Sequence, residues 1–408
     1  MNLALPNGTG IATYGRNFIE IARQLGYDVD LMIGGRGLDR LPSRTATEWL
    51  AAAAPTPARH PFGVARRIAG ALRTVTMPQV KQLEVVGALQ TRVFHVDDLF
   101  ANAVAGFRRF GRMTELSIPG VDMAHWTAPI PIRIKGAINV YTIHDMVPLT
   151  HPELVLGSTD LFRHLCQRIA RSADHILTVS ECSRRDIITE LGVSPDLVSN
   201  TYQTIEPSFW QSRETVRAHW AADTLPQFPD RGYFLFFGAI EPKKNLARIL
   251  AAHDDQQITL PLVVVGTPGW GCSDVLERLN AAASHPDRRI VFVPPVDREQ
   301  LADLIRSARA TVFPSIYEGF GLPALESLAL DTPVIGSITG SLPEVIGPGG
   351  LLVDPLSVKA IRAAMLALQE DVHMSRQCAS AGKAHVARFA PDAYRDRMGL
   401  LLGSLLVR

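Results

Sequence analysis

Short β-branched and aliphatic runs alternate with longer amphipathic helical patterns through nearly the whole chain, and that rhythm leaves few architectures open. The runs in the first half are "MNLAL", "DVDLMIG" (28–34), "VDMAHW" (121–126), "INVYTIH" (138–144) and "HILTVS" (175–180). In the second half they are "GYFLFFG" (232–238), "PLVVVG" (261–266), "RIVFV" (289–293), "ATVFPS" (310–315) and "PVIGS" (333–337). Between them lie helical patterns such as "SECSRRDIITELG", "KNLARILAAH" and "REQLADLIRSA". Strands that are apolar on both faces, each followed by a helix, predict α/β domains with parallel sheets covered on both sides. A length of 408 residues exceeds one ordinary core. The rhythm halts at "WAADTLPQFPDRG" (220–232), which holds two prolines and a glycine. Two doubly wound, Rossmann-like domains follow, 1–220 and 221–408, facing across a cleft that is the natural ligand site.

Residues 36–115 fit the rhythm least. From Ala58 to Arg112 nine Arg or Lys stand against three Asp or Glu, in stretches such as "VARRIAGALR" and "FRRFGR". An arginine-rich amphipathic stretch with phenylalanines suits peripheral contact with an anionic membrane. The plain alternative is a solvated helical face, since 35 of the 41 basic residues of the chain are arginine. The formal net charge of +1 offers no global attraction to nucleic acid. Four cysteines, none in metal-ligand spacing, read as reduced thiols of a cytoplasmic protein. No apolar run reaches about 18 residues, the minimum for a membrane span, and "MNLALPNGTG" lacks the pattern of an export signal.

Three strand–turn–helix junctions carry the candidate chemistry. "LALPNGTGIATYGRNF" places Gly8 and Gly10 before a helix, where bared amides and the positive dipole end suit an anion. A plain tight turn explains the same residues. Gly15 stands too far from Gly10 for a dinucleotide fingerprint, and "LMIGGRG" supplies no ribose-binding acid. "FFGAIEPKKNLARIL" puts Lys243 and Lys244 at an expected helix start, where cations oppose the macrodipole. A bound diphosphate would reverse that sign; two solvated lysines are the alternative. In "ATVFPSIYEGFGLPALESLAL", Glu318 falls on the loop and Glu326 one turn inside a helix opening near Leu322. The pair would flank a ligand rather than touch.

These motifs resemble those of the retaining GT-B glycosyltransferases. The E-x7-E pattern is Glu318 to Glu326, and "SLPEVIGPGGLLVDP" and "GAIEPKKNL" continue the likeness, the latter in a form common among mannosyltransferase-like members. It is strong over 231–390, moderate in "YTIHDMVPLTHPE" and "TVSECSRRDI", and poor over 36–115. The resemblance implies GT-B architecture, with the last helix (391–408) crossing back to the first domain. It implies that Glu326 meets the ribose hydroxyls of a nucleotide sugar and Glu318 the transferred hexose. Lys243, Lys244 and the amides around Gly319, Phe320, Gly321 and Leu322 would hold the diphosphate, with no metal and no further cofactor. His144, at a strand end, would touch the sugar, with Asp145 orienting its ring or capping the loop. His125 and Trp126 are candidates for the acceptor side, or pack beneath the cleft.

The implied reaction is retaining transfer of a hexose, from GDP-mannose by the likeness of "GAIEPKKNL" and "IHD", to a lipid-linked or polysaccharide acceptor. Three features depart from the family pattern. "GAIEP" lacks a frequent arginine, leaving its charge to Lys243, "FVPPV" replaces a commoner glycine–aromatic pair near the base pocket, and "VSNTYQTIEP" is unusual. Two rivals remain: a degenerate, non-catalytic scaffold and an NAD-dependent oxidoreductase.

Overall fold

The computed structural model describes residues 10–34, 80–83, 92–205, 229–283 and 289–407. The expected strand "MNLAL", Gly8, most of the arginine-rich segment and the domain boundary at 220/221 lie outside the described residues.

In the first half the strands are β1 (Leu31–Ile33), β2 (Lys81–Leu83), β3 (Val93–His95), β4 (Thr114–Leu116), β5 (Met123–Trp126), β6 (Ile132–Ile134), β7 (Ile138–Thr142), β8 (His175–Thr178) and β9 (Val198–Asn200). They form three groups, in the orders β1-β3-β2, β4-β6 and β5-β7-β8-β9. All pairings are parallel except β2 with β3. Five of these strands, β2, β3, β4, β6 and β9, escape sequence reading. Each is three residues long, too short for a period-two pattern to emerge.

The second half is one parallel sheet. Its strands are β10 (Phe234–Ile240), β11 (Leu262–Pro268), β12 (Ile290–Val293), β13 (Ala310–Phe313), β14 (Val334–Ser337) and β15 (Gly350–Val353). Their order is β12-β11-β10-β13-β14-β15. Phe234, Leu235, Phe236 and Phe237 are all buried, because helices cover both faces of the central strand. One continuous hydrophobic cluster runs through this half. Among the described residues three smaller clusters serve the first half, and a fourth joins Val147, Leu154 and Cys182 to Tyr317 of the second.

The final helix, Pro391–Leu406, packs on the first half. Tyr394, Met398, Leu402 and Leu405, spaced along one helical face, meet Ile21, Val140 and Leu177. Both ends of the described chain therefore share one small core.

Candidate active site

The chemistry collects at the carboxyl ends of β10 and β13. After β10 the chain makes a single 3₁₀ turn, Pro242–Lys244, and Asn245 then takes a left-handed conformation (φ 64°) before the helix Leu246–His253. Asn tolerates that conformation better than other side-chain-bearing residues. Its buried amide donates to the carbonyls of Pro314 (2.8 Å) and Pro355 (2.7 Å), tying this turn to the loops beyond β13 and β15. Ile316 N–H donates to the Lys243 carbonyl at 2.9 Å, a second tie between the two loops.

That clamp brings both lysines onto Glu318. Lys244 Nζ lies 2.6 Å from Oε1 and Lys243 Nζ 3.6 Å from Oε2. Glu318 is only 7% exposed. Burial pushes its carboxyl up, but Lys244 and then Lys243 outweigh burial and hold it below the ordinary carboxylate range. Lys243 is raised in turn, first by Glu318, against burial, and then by Asp145. The Glu318 carbonyl is gripped as well, by Ser341 N–H (3.1 Å) and Ser341 Oγ (3.0 Å). Gly340 makes that approach possible: its φ is +62°, and a Cβ there would come within 2.8 Å of the Glu318 backbone.

Glu326 lies on the helix Leu322–Ala329, whose first turn follows Gly321 in a positive-φ conformation. Its Oε1 is 4.0 Å from Arg298 Nη1. The two glutamates thus answer to different cations. A small pocket between Glu318 and the start of this helix is lined also by Phe313, Ser315, Gly321, Pro323, Ala324 and Leu342.

The first half closes over the same place. Gly10 opens the helix Gly10–Gln24, and a Cβ on it would lie 3.3 Å from Leu322 Cδ1, so the two helix starts oppose each other. Gly319 sits so tightly under the β7 end that a Cβ would come within 2.9 Å of the Asp145 side chain and the His144 carbonyl. His144 Nε2 donates to the Thr127 carbonyl at 2.9 Å, which puts the proton on that nitrogen and leaves Nδ1 as acceptor. Burial lowers its pKa, so the ring is neutral near pH 7. Tyr14 supports it edge-on at 5.0 Å.

Several expectations need correction. Lys243 and Lys244 lie in the 3₁₀ turn just ahead of the helix Leu246–His253, with Asn245 as its N-cap, rather than in the helix itself. Their positive charge is met by Glu318 instead. Trp126 is not an acceptor surface: it is 6% exposed, with Nε1 donating to Asn139 Oδ1 at 3.3 Å. Alternation along β5 sends its ring into the core. His125 packs on Phe18 with ring centroids 3.9 Å apart and shares a 2.8 Å hydrogen bond with Thr142, beneath His144 rather than beyond it. Burial lowers it to about 3. Asp145 accepts from Val147 N–H (3.1 Å) and so caps a loop, with no hydrogen bond to the His144 ring. The Phe320 ring is core, leaving only its backbone to a ligand. Sequence reasoning missed Asn245, Gly340, Ser341 and Arg298. Asn directly after the lysine pair was the one available signal, as a residue suited to a left-handed turn.

Residues 223–385 match the family model described as glycosyl transferases group 1. The chain is 34% identical over 257 residues to O-antigen chain mannosyltransferase B of Escherichia coli, an alignment covering 59% of this chain and 64% of the relative. It is 32% identical over 227 residues to MMP alpha-(1->4)-mannosyltransferase of Mycolicibacterium hassiacum, covering 54% of this chain and 52% of that one. The chain therefore spans less than two thirds of the length of either relative. Sucrose-phosphate synthase from Thermosynechococcus elongatus superposes with a TM-score of 0.59 at 20% identity, over 86% of this chain and 94% of that one. A glycosyltransferase from Rickettsia africae gives 0.60 at 13% identity, over 96% and 94%. At those identities the structures speak for the fold alone, and they agree with two Rossmann-like halves. Residues 223–385 thus match the pattern of the group 1 glycosyl transferases, and the fold that carries them is GT-B.

Proposed function

We propose that this protein is a retaining, metal-independent glycosyltransferase that moves a hexose from a nucleoside diphosphate sugar to a glycan or lipid-linked acceptor. The observation that carries the reading is the buried Lys243–Glu318–Lys244 cluster, set opposite His144 where the two halves meet. Two ammonium groups beside a helix start suit a diphosphate, whose departure they stabilise as charge develops on its oxygen. Glu318, held ionised by those lysines, faces the hexose and its developing oxocarbenium charge. Glu326 receives the ribose hydroxyls. In the step itself the bond from the anomeric carbon to the β-phosphate oxygen breaks. The acceptor oxygen bonds to the same face, and its proton passes to the departing phosphate. Neutral His144 serves as a hydrogen-bonding partner of the sugar, not as a cation.

GDP-mannose is the favoured donor because relatives named as mannosyltransferases match more than half of the chain. Incubation with GDP-, UDP-, dTDP- and ADP-sugars, followed by NMR of the product anomer, tests donor and stereochemistry together. Indifference to every sugar nucleotide defeats the reading; an inverted product defeats the retaining mechanism.

The reading extends to work at the cytoplasmic face of a membrane. In the helix Leu99–Phe110, Val104 is 37% and Phe110 42% exposed, and Arg108, Arg109 and Arg112 lie exposed at its end. Apolar and basic groups together suit an anionic surface. No helix among the described residues is long and apolar enough to cross a membrane. Sedimentation with phosphatidylglycerol vesicles, weakened by salt and by Arg108→Glu with Arg109→Glu, is the expected outcome.

A further inference from the structure

The residues on either side of Glu318 are held by the other half of the molecule. Tyr317 donates its hydroxyl proton to the Asp186 carboxylate, and Cys182 Sγ lies 3.2 Å from the same oxygen. Ser183 Oγ donates to the Gly319 carbonyl at 3.1 Å and itself receives the Ser180 hydroxyl at 3.0 Å. Asp186, Cys182 and Ser183 all belong to one helix, Glu181–Leu191, the latter two in its first turn. That helix is anchored in turn by Glu344 from the second half, whose carboxylate accepts Cys182 N–H (2.9 Å) and Glu181 N–H (3.1 Å). A carboxylate across two free amides satisfies the helix start and complements its dipole.

We infer that Asp186, acting through Tyr317, and Ser183, acting through Gly319, are positioning residues for Glu318. This rests on the role proposed above for that carboxylate. The second half supplies Glu318 and both lysines, yet the Tyr317 hydroxyl before the glutamate and the Gly319 carbonyl after it are bonded to the first half. Gly319 has no room to shift, being pressed against Asp145 and the His144 carbonyl. Rotation of the 317–319 backbone would swing the Glu318 carboxylate off Lys244. A misplacement on the order of 1 Å is enough to cost about a hundredfold in rate. Simple core packing explains the Tyr317 ring but not the pairing of its hydroxyl with a carboxylate on the opposite half.

The test compares Tyr317→Phe, Asp186→Leu and Asp186→Asn, reading kcat and KM for the donor, GDP affinity by calorimetry, and melting temperature. Tyr317→Phe and Asp186→Leu should lower kcat roughly ten- to a hundredfold with GDP affinity and donor KM nearly unchanged. Asp186→Asn should restore most of the loss, because its amide oxygen still accepts the tyrosine proton. Unchanged kcat in Tyr317→Phe overturns the inference. So does a fall in kcat matched by equal losses of GDP affinity and melting temperature, which marks a purely structural role. If the wild-type protein acts on no sugar nucleotide, the functional reading fails, and crystal structures of wild type and Tyr317→Phe then decide the positioning alone. A Lys244–Glu318 contact lengthened in the variant supports it, and one retained at the wild-type distance ends it.

Discussion

The two halves of this molecule solve the same folding problem differently. Among the described residues, six parallel strands in the second half share one sheet and one hydrophobic cluster, while nine strands in the first half divide among three groups. Charge follows the same division. The second half carries a buried acid locked between two lysines; the first half offers two histidines that burial keeps neutral. A continuous, fully covered sheet holds its strand ends rigidly, so it can support an ion cluster that tolerates little displacement.

The sharpest way to break this contrast is in the central strand. Phe236→Ala should cost about 3–5 kcal/mol of stability, since the ring is fully buried beside Phe313. Chemical denaturation should show the loss, and hydrogen exchange should confine its onset to the second half. A similar loss spread evenly over both halves would mean that they unfold as one unit.

Next in size is the ion cluster. Glu318→Ala should reduce turnover by about 10²–10³-fold, or roughly 2.7–4 kcal/mol, while largely sparing GDP binding. Calorimetry beside a rate assay separates the two effects. Unchanged turnover would remove the acid from the reaction.

Asn245→Ala comes third. It leaves the Pro314 and Pro355 carbonyls unpaired and should cost about 1–3 kcal/mol of stability. Lys244 should lose its contact with Glu318 as the loops separate, and a crystal structure of the variant checks that.

The smallest effect is on pH dependence, where the buried histidines and the ion cluster should part company. His125 and His144 have lowered values, so the unfolded chain binds more protons than the folded one. Their contribution is complete above an unfolded value of about 6.5. It declines as pH falls through that value, down to about 3 for His125. Glu318 is also lowered, and its contribution is complete above an unfolded value of about 4.3. That contribution is lost only as pH falls toward about 2. His253 in the second half is lowered by burial as well, so hydrogen exchange between pH 7 and 5 should show loosening around these three histidines while the Glu318 cluster holds. His125→Gln should flatten that trend.

Much of this arrangement was legible in the residues. Fully apolar runs such as "YFLFF" and "PLVVV" announce buried parallel strands, because only two covered faces accommodate them. The spacing of Glu318 and Glu326 around "GFGLP" announces a loop and a helix start. The three-residue strands of the first half were not legible, since their pairing comes from neighbours distant in the chain. Nor were the side-chain directions at Trp126 and His125. A one-residue change of face along β5 decides whether each ring looks into the core or toward the other half.

By itself, then, the sequence determined the layered α/β plan, the turn chemistry and the residue types able to meet a diphosphate, all of which are local properties of pattern and charge. Only the tertiary structure decided that Lys244 touches Glu318 and that Asn245 ties three loops together. It alone decided that Tyr317 and Gly319 lean on the helix starting at Glu181. Those contacts join residues up to 136 positions apart, and no local preference encodes such a distance. They form because two halves must bury their facing edges and satisfy every polar group that burial takes from water.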